Sequence, residues 1–136
     1  MVAADRDIEG LADLAAEAGY EIRQVDIETG APWPLGGGYD AIVVTNYLHR
    51  PLFPAIADAL APGGLLLYET FAQGNERLGK PSNPDFLLAP GELLAAFAAL
   101  TPIAFEQGRV ETPRPAVVQR LAAVKEWQTS ELVLPV

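Results

Sequence analysis

The chain contains no cysteine, one histidine and only nine lysine and arginine residues among its 136 residues. Without cysteine it cannot form disulfides, thiolate metal sites or a cysteine nucleophile, and one histidine cannot make a three-histidine zinc site. Nine basic against eighteen acidic side chains leave a formal net charge of -9. This balance argues against a nucleic-acid coating protein, because such binding depends on neutralising phosphates. We predict no metal and no nucleic-acid partner.

Long hydrophobic runs are also missing. No apolar stretch approaches the roughly 18 residues of a membrane helix, and the charged residues at 5–7 stand where a signal peptide needs an apolar segment. Half of the chain is nevertheless hydrophobic, and its length suits one domain. The sequence therefore predicts a soluble, cytoplasmic protein without a membrane partner, with a single domain over residues 1–125 and a tail over 126–136.

Strand-like and helix-like segments alternate along the chain. Hydrophobic periodicity and stop residues predict strands over 2–5, 21–27, 39–45, 65–71, 103–110 and 116–124, and helices over 8–18, 51–60 and 90–100. The strands at 39–45 and 65–71 are apolar on both faces and are expected to be buried. Alternation of this kind implies a parallel α/β sheet. The short turn before 116–124 makes that last strand antiparallel.

A polar connection over residues 72–89 follows the 65–71 strand. A connection of this length is uncommon in a compact domain and is often functional. Its candidates for substrate or lid contacts are Arg77, Lys80, Asn83 and Asp85. A merely solvated loop is the alternative interpretation.

Two single residues stand out chemically. His49 is the only side chain whose ordinary pKa lies near neutrality, so it is a candidate base, although an ordinary polar position before a helix explains it equally well. Glu69 is the one charged residue in an apolar strand, and a buried carboxylate must be paired or protonated. It could hold a substrate amine, pair with Arg77, or face the solvent.

An ordered set of segments carries a family resemblance. These are VAADRD at 2–7, VDI at 25–27, YDAIVVTNYLHRP at 39–51, LAPGG at 60–64, YETF at 68–71, GNE at 74–76 and PSNPD at 81–85. Over residues 2–125 the chain resembles the class I S-adenosylmethionine-dependent methyltransferases. The resemblance implies a Rossmann-like three-layer αβα sandwich with a mostly parallel sheet and an antiparallel C-terminal strand.

The resemblance also implies roles for particular residues in binding S-adenosylmethionine. Asp5, with Arg6 beside it, matches the acid that holds the ribose hydroxyls, and a carboxylate can accept both. Asp26 and Ile27 match the contacts to adenine, and Asn46 matches a cofactor-pocket residue. For the acids the alternatives are a helix cap at Asp5 or Asp7 and a solvated strand end at Asp26.

The same resemblance places the chemistry after the 39–45 strand. Tyr47 and His49 are the implied catalytic candidates, because this position faces the transferred methyl group. The acceptor is expected to be a small molecule. Together with the residues themselves, this gives Glu69, Asn75, Arg77, Lys80 and Asn83 as the substrate or lid candidates.

The chain departs from the family at its start. Family members place a strand, a glycine-rich loop and a helix before the Asp5 strand, and this sequence has only two residues there. We expect a truncated form with weak cofactor binding, and a homodimer formed through the region of the missing central strand. Direct pairing of the 2–5 and 39–45 strands within one chain is the alternative. An exposed strand edge recruits a partner strand.

Three functions are compatible with the sequence: a methyltransferase or a truncated remnant of one, a non-catalytic binding or scaffold protein of the same fold, and a nucleotide-cofactor oxidoreductase. The strand pair at the end of the chain, without a helix between its members, favours the first over the third.

Overall fold

The computed structural model describes residues 1–127, 129–131 and 133, and it shows an α/β protein. Its strands are β1 (Val2–Asp5), β2 (Glu21–Gln24), β3 (Tyr39–Thr45), β4 (Leu60–Phe71), β5 (Thr101–Val110) and β6 (Ala116–Val124). Its α-helices are α1 (Ala12–Ala15), α2 (Phe53–Ala59) and α3 (Glu92–Ala96), with short 3-10 helices at Glu9–Leu11, Arg50–Leu52, Asn75–Arg77, Pro84–Phe86 and Thr129–Glu131. Among the described residues, no helix is long and apolar enough to cross a membrane. The predicted tail, 126–136, lies partly outside the described residues.

The chain divides into two compact units, Met1–Leu35 and Gly36–Val136. The assignment of residues 1–125 to one domain stays a prediction. In the first unit β1 and β2 pair in parallel, with Asp5 opposite Gln24. The predicted helix over 8–18 is reduced to one 3-10 turn and the four-residue α1. No residue of α1 is buried, so packing adds little to a helix that propensity alone cannot sustain.

The second unit contains a mixed four-stranded sheet in the order β3-β4-β6-β5. β3 and β4 are parallel, and β6 is antiparallel to both β4 and β5. The predicted antiparallel last strand is confirmed. One continuous sheet containing the first four strands was the wrong expectation, since β1 and β2 form a separate two-stranded sheet. Strand–helix alternation determines the direction within each pair, but not whether one pair joins the other.

The core of the second unit lies on one face of this sheet. The rings of Phe53 in α2, Tyr68 in β4 and Phe97 after α3 form a cluster with centroids 5.2 to 6.0 Å apart. On the other face, Val43 is 62% exposed and its neighbour Leu67 is 40% exposed. The prediction that β3 and β4 are buried on both faces is therefore wrong.

β4 begins at Leu60, five residues before its predicted start at residue 65. α2 ends at Ala59, and β4 begins at once with Leu60 opposite Tyr39, then bulges before Leu65 pairs with Ala41. Gly64 lies in this bulge, where a Cβ atom would sit 2.9 Å from the Tyr39 carbonyl oxygen. A contact that close to backbone needs a glycine. The glycines near position 63 thus shape a bulge and do not end the helix.

Candidate functional site

Two acidic side chains mark one end of the two-stranded sheet. Asp5 is the last residue of β1, and Asp26 follows β2 by two residues. Because the strands are parallel, both carboxylates lie at the carboxyl end of the sheet, where α/β folds bind ligands. Each carboxylate accepts one backbone N–H, from Asp7 at 3.1 Å and from Glu28 at 2.9 Å, and both side chains are exposed. The oxygens left over are suited to accept hydroxyl or amine hydrogens.

The other predicted cofactor residues of this unit, Arg6 and Ile27, lie next to these two carboxylates in the sequence. The Arg6 carbonyl accepts the side-chain amide of Gln24 at 3.1 Å, which ties the two strands together beyond their ladder. Ile27 is half-buried beside the exposed Asp26. Asp7 accepts the N–H of Glu9 at 3.0 Å, so its carboxylate starts the 3-10 turn before α1.

In the second unit, Asn46 turns the chain at the end of β3. It has a φ of +53°, a conformation that asparagine tolerates better than most residues, and its N–H donates to the Glu69 carbonyl at 2.9 Å. The Tyr47 carbonyl then accepts the Tyr68 hydroxyl at 2.8 Å. Burial raises the pKa of Tyr68, so its hydroxyl stays a neutral donor. Half-buried His49 follows, directly before the Arg50–Leu52 turn.

Glu69 is held by a partner that the sequence did not suggest. Its carboxylate accepts Arg120 Nε at 2.8 Å across the β4–β6 pair, and Glu106 on β5 lies 3.9 Å from the same guanidinium. The side chain is 42% exposed, so it is not buried, and its ion pair is with Arg120 and not with Arg77. Cross-strand register, with Glu69 opposite Arg120, produces this pair.

Side-chain amides fasten the long connection to β6. Asn75 is 2% exposed; its Nδ2 donates to the Pro81 carbonyl at 2.9 Å and its Oδ1 accepts the Val117 N–H at 3.0 Å. The fully buried Gln119 accepts the Leu93 N–H at 2.8 Å and donates to the Ala89 carbonyl at 3.0 Å. Both polar atoms of Asn75 are thus engaged in holding the connection in place.

An ion pair that the sequence analysis missed braces the far end of the connection. Arg50 donates to both carboxylate oxygens of Glu92, at 2.6 and 3.0 Å, and to the carbonyls of Asp85 and Leu87 at 3.1 and 2.9 Å. The hydrogen bond from Arg50 holds the pKa of Glu92 below its ordinary value, although partial burial opposes the shift. Forty-two positions separate the two residues, so no local pattern links them.

Lys80 and Asn83 come together with two residues that sequence reasoning did not single out, Phe86 and Arg114. All four line one cleft between the connection and the β5–β6 turn. Arg114 stands between two prolines in that turn, which was its only signal in the sequence. The predicted contact Arg77 is exposed and is not among the residues that line this cleft.

Comparison with known proteins identifies the fold. TehB from Haemophilus influenzae superimposes with a TM-score of 0.72 at 16% identity, covering 91% of this chain and 49% of TehB. The N-methyltransferase NodS from Bradyrhizobium japonicum WM9 gives 0.69 at 15% identity, with 91% and 72% covered. A SAM-dependent methyltransferase from Methanosarcina mazei gives 0.64 at 14% identity, with 93% and 82% covered.

The chain has the fold of class I SAM-dependent methyltransferases, as its resemblance implied, and it spans about half the length of TehB. No protein-family model matches it, and no curated protein matches its sequence.

Proposed function

We propose that this chain is a SAM-dependent methyltransferase that transfers a methyl group to a small molecule in the cytoplasm. The observation that carries the proposal is the superposition on methyltransferases over nine-tenths of the chain, including NodS in complex with S-adenosyl-L-homocysteine at a TM-score of 0.65. The antiparallel β5–β6 pair supports this function over that of an oxidoreductase.

The described residues fit the adenosine half of the cofactor. Asp5 would accept the ribose hydroxyls and Asp26 the adenine amine, because both carboxylates are exposed at the same end of their sheet. Ile27 would contact the ring. When bound, S-adenosylmethionine supplies a methyl group activated by its sulfonium.

The remaining work of the chain is alignment and proton transfer. An acceptor amine or hydroxyl must approach the methyl carbon in line, and holding the two in that geometry lowers the barrier. His49 would take the proton that the acceptor loses. Tyr47 lies two residues before it, in the segment between β3 and the Arg50–Leu52 turn.

A non-catalytic binding protein of the same fold is the second candidate. Glu69 and Asn75, two of the predicted substrate contacts, are engaged in bonds that hold β6 and the connection. Use of both for internal structure favours a scaffold that has no acceptor site in this region.

The test is a titration of the 136-residue chain with S-adenosyl-L-homocysteine, followed by backbone NMR shifts. We expect saturable shifts near Asp5 and Asp26 with millimolar affinity, because hydrogen bonds to charged groups contribute about 1.5–3 kcal/mol each and few are available. Asp5→Asn and Asp26→Asn should each weaken binding about tenfold by the same estimate, whereas Asp13→Asn in α1 should not.

Absence of saturable shifts would contradict the proposal, and micromolar affinity would contradict the expected weakness. Binding without methyl release from radiolabelled S-adenosylmethionine to a panel of small amines and phenols would favour the scaffold. Loss of affinity in Asp13→Asn would show a general charge effect in place of a site.

A further inference from the structure

A cleft of about 470 Å³ opens beside the long connection. Its lining residues are Lys80, Pro81, Ser82, Asn83, Phe86 and Arg114. It combines two cations, two polar side chains and an aromatic ring that is 50% exposed. Among the residues that the structure describes, no carboxylate lines it, although the chain has twice as many acidic as basic residues.

The cations of this cleft differ from most others in the chain. Arg23, Arg50, Arg109 and Arg120 each pair with a carboxylate, and Lys125 donates to three backbone carbonyls. Within the described part of the chain, neither Lys80 nor Arg114 forms an ion pair with a carboxylate. Arg114 makes a long contact, 3.5 Å, with the Lys80 carbonyl. Two positive charges without a carboxylate partner among the described residues therefore line the same cleft.

Hydrogen bonds hold both walls in place. Buried Asn75 joins the Pro81 carbonyl on one wall to the Val117 N–H, three residues after Arg114 on the other. Asn83 accepts the Asp85 N–H at 3.0 Å and fixes the turn that carries Phe86. Because these segments are ordered beforehand, a ligand would lose little free energy in organising them.

We propose that this cleft binds an anionic group attached to a flat apolar ring. A phosphate or carboxylate would lie between Lys80 and Arg114, where a guanidinium can donate two parallel hydrogen bonds. The ring would pack on Phe86, and Ser82 and Asn83 would meet the remaining oxygens. Binding of such an anion needs no cofactor, so the proposal stands apart from methyl transfer.

The experiment follows backbone NMR shifts of the full chain during titration with phenyl phosphate, benzoate and inorganic phosphate, without S-adenosylmethionine. We expect saturable shifts over residues 80–86 and 112–115. Lys80→Gln and Arg114→Gln should each weaken phenyl phosphate binding about fivefold, within the range for one charge-assisted bond at an exposed site. Phe86→Ala should weaken phenyl phosphate and leave inorganic phosphate unchanged.

Arg109→Gln is the matched control, because it removes the same charge from a residue already paired with Glu111. Equal weakening by Arg109→Gln, or shifts spread over Arg6 and Arg77, would overturn the proposal in favour of general charge attraction. Absence of saturable shifts with all three probes would overturn it as well. Stronger binding of benzoate than of phenyl phosphate identifies a carboxylate ligand, and the reverse identifies a phosphate.

Discussion

At the scale of single residues, Asn75 shows how much one buried amide can hold. Its two polar atoms serve two backbone groups that are far apart in sequence, Pro81 and Val117. Asn75→Ala leaves both groups without a partner, and each unsatisfied buried group costs about 1–3 kcal/mol. We expect the free energy of unfolding to fall by about 3 kcal/mol on that basis, measured as a lower urea midpoint.

Asn83→Ala is the control for this prediction. Asn83 is exposed and accepts a single N–H, from Asp85, at the start of a 3-10 turn. Loss of such a cap costs about 1 kcal/mol. Equal midpoints for the two variants would contradict the buried role of Asn75.

At the scale of elements, the Arg50–Glu92 pair fastens the end of the connection and the start of α3. The pKa of Glu92 is lowered in the folded chain, chiefly by the hydrogen bond from Arg50. A carboxyl with a lowered folded pKa stabilises the protein above its unfolded pKa, about 4.3, and this stabilisation is lost as pH falls through the folded value. We therefore expect the urea midpoint of the native chain to fall as the pH is lowered below about 4.3.

Glu92→Gln should flatten that part of the pH profile and lower the midpoint near neutral pH. Glu111→Gln is the matched control, because Glu111 pairs with Arg109 on the exposed surface, where ion pairs contribute little. An unchanged acidic slope in Glu92→Gln would refute the role of this pair.

Elements were predictable where local patterns decide them. Five of the six strands were expected to within three residues at each end, because short apolar runs bounded by turn residues are strong local signals. The predicted helices were too long, because their apolar stripes indicated packing that α1 does not make. The Glu69–Arg120 and Arg50–Glu92 pairs could not be predicted, because both depend on the register and folding of distant segments.

At the scale of the whole molecule, β3 forms one edge of the four-stranded sheet. Among the described strands it pairs only with β4, and its Val43 is 62% exposed beside the partly exposed Leu67. An open edge next to apolar side chains favours association. We propose that a second copy of the chain covers this region and makes a homodimer.

Light scattering at micromolar concentration tests the dimer. We expect a mass of twice 14.5 kDa for the native chain and a monomer for Val43→Lys, because a charge on an edge strand opposes pairing. Val133→Lys changes another exposed apolar residue outside β3 and should leave the dimer intact. A native chain that runs as a monomer would refute the proposal.

The strand order also has a consequence for how the chain is made. β6 lies between β4 and β5, although it is the last strand to be synthesised. Until residues 116–124 leave the ribosome, β4 lacks its antiparallel neighbour. Asn75 then has no Val117 N–H to accept, and Gln119, which belongs to β6, cannot yet bind the connection. Pairings between distant segments form late and slowly. The nascent chain therefore carries β4 without its antiparallel partner until residues 116–124 have been made, and the four-stranded sheet closes only when β6 arrives.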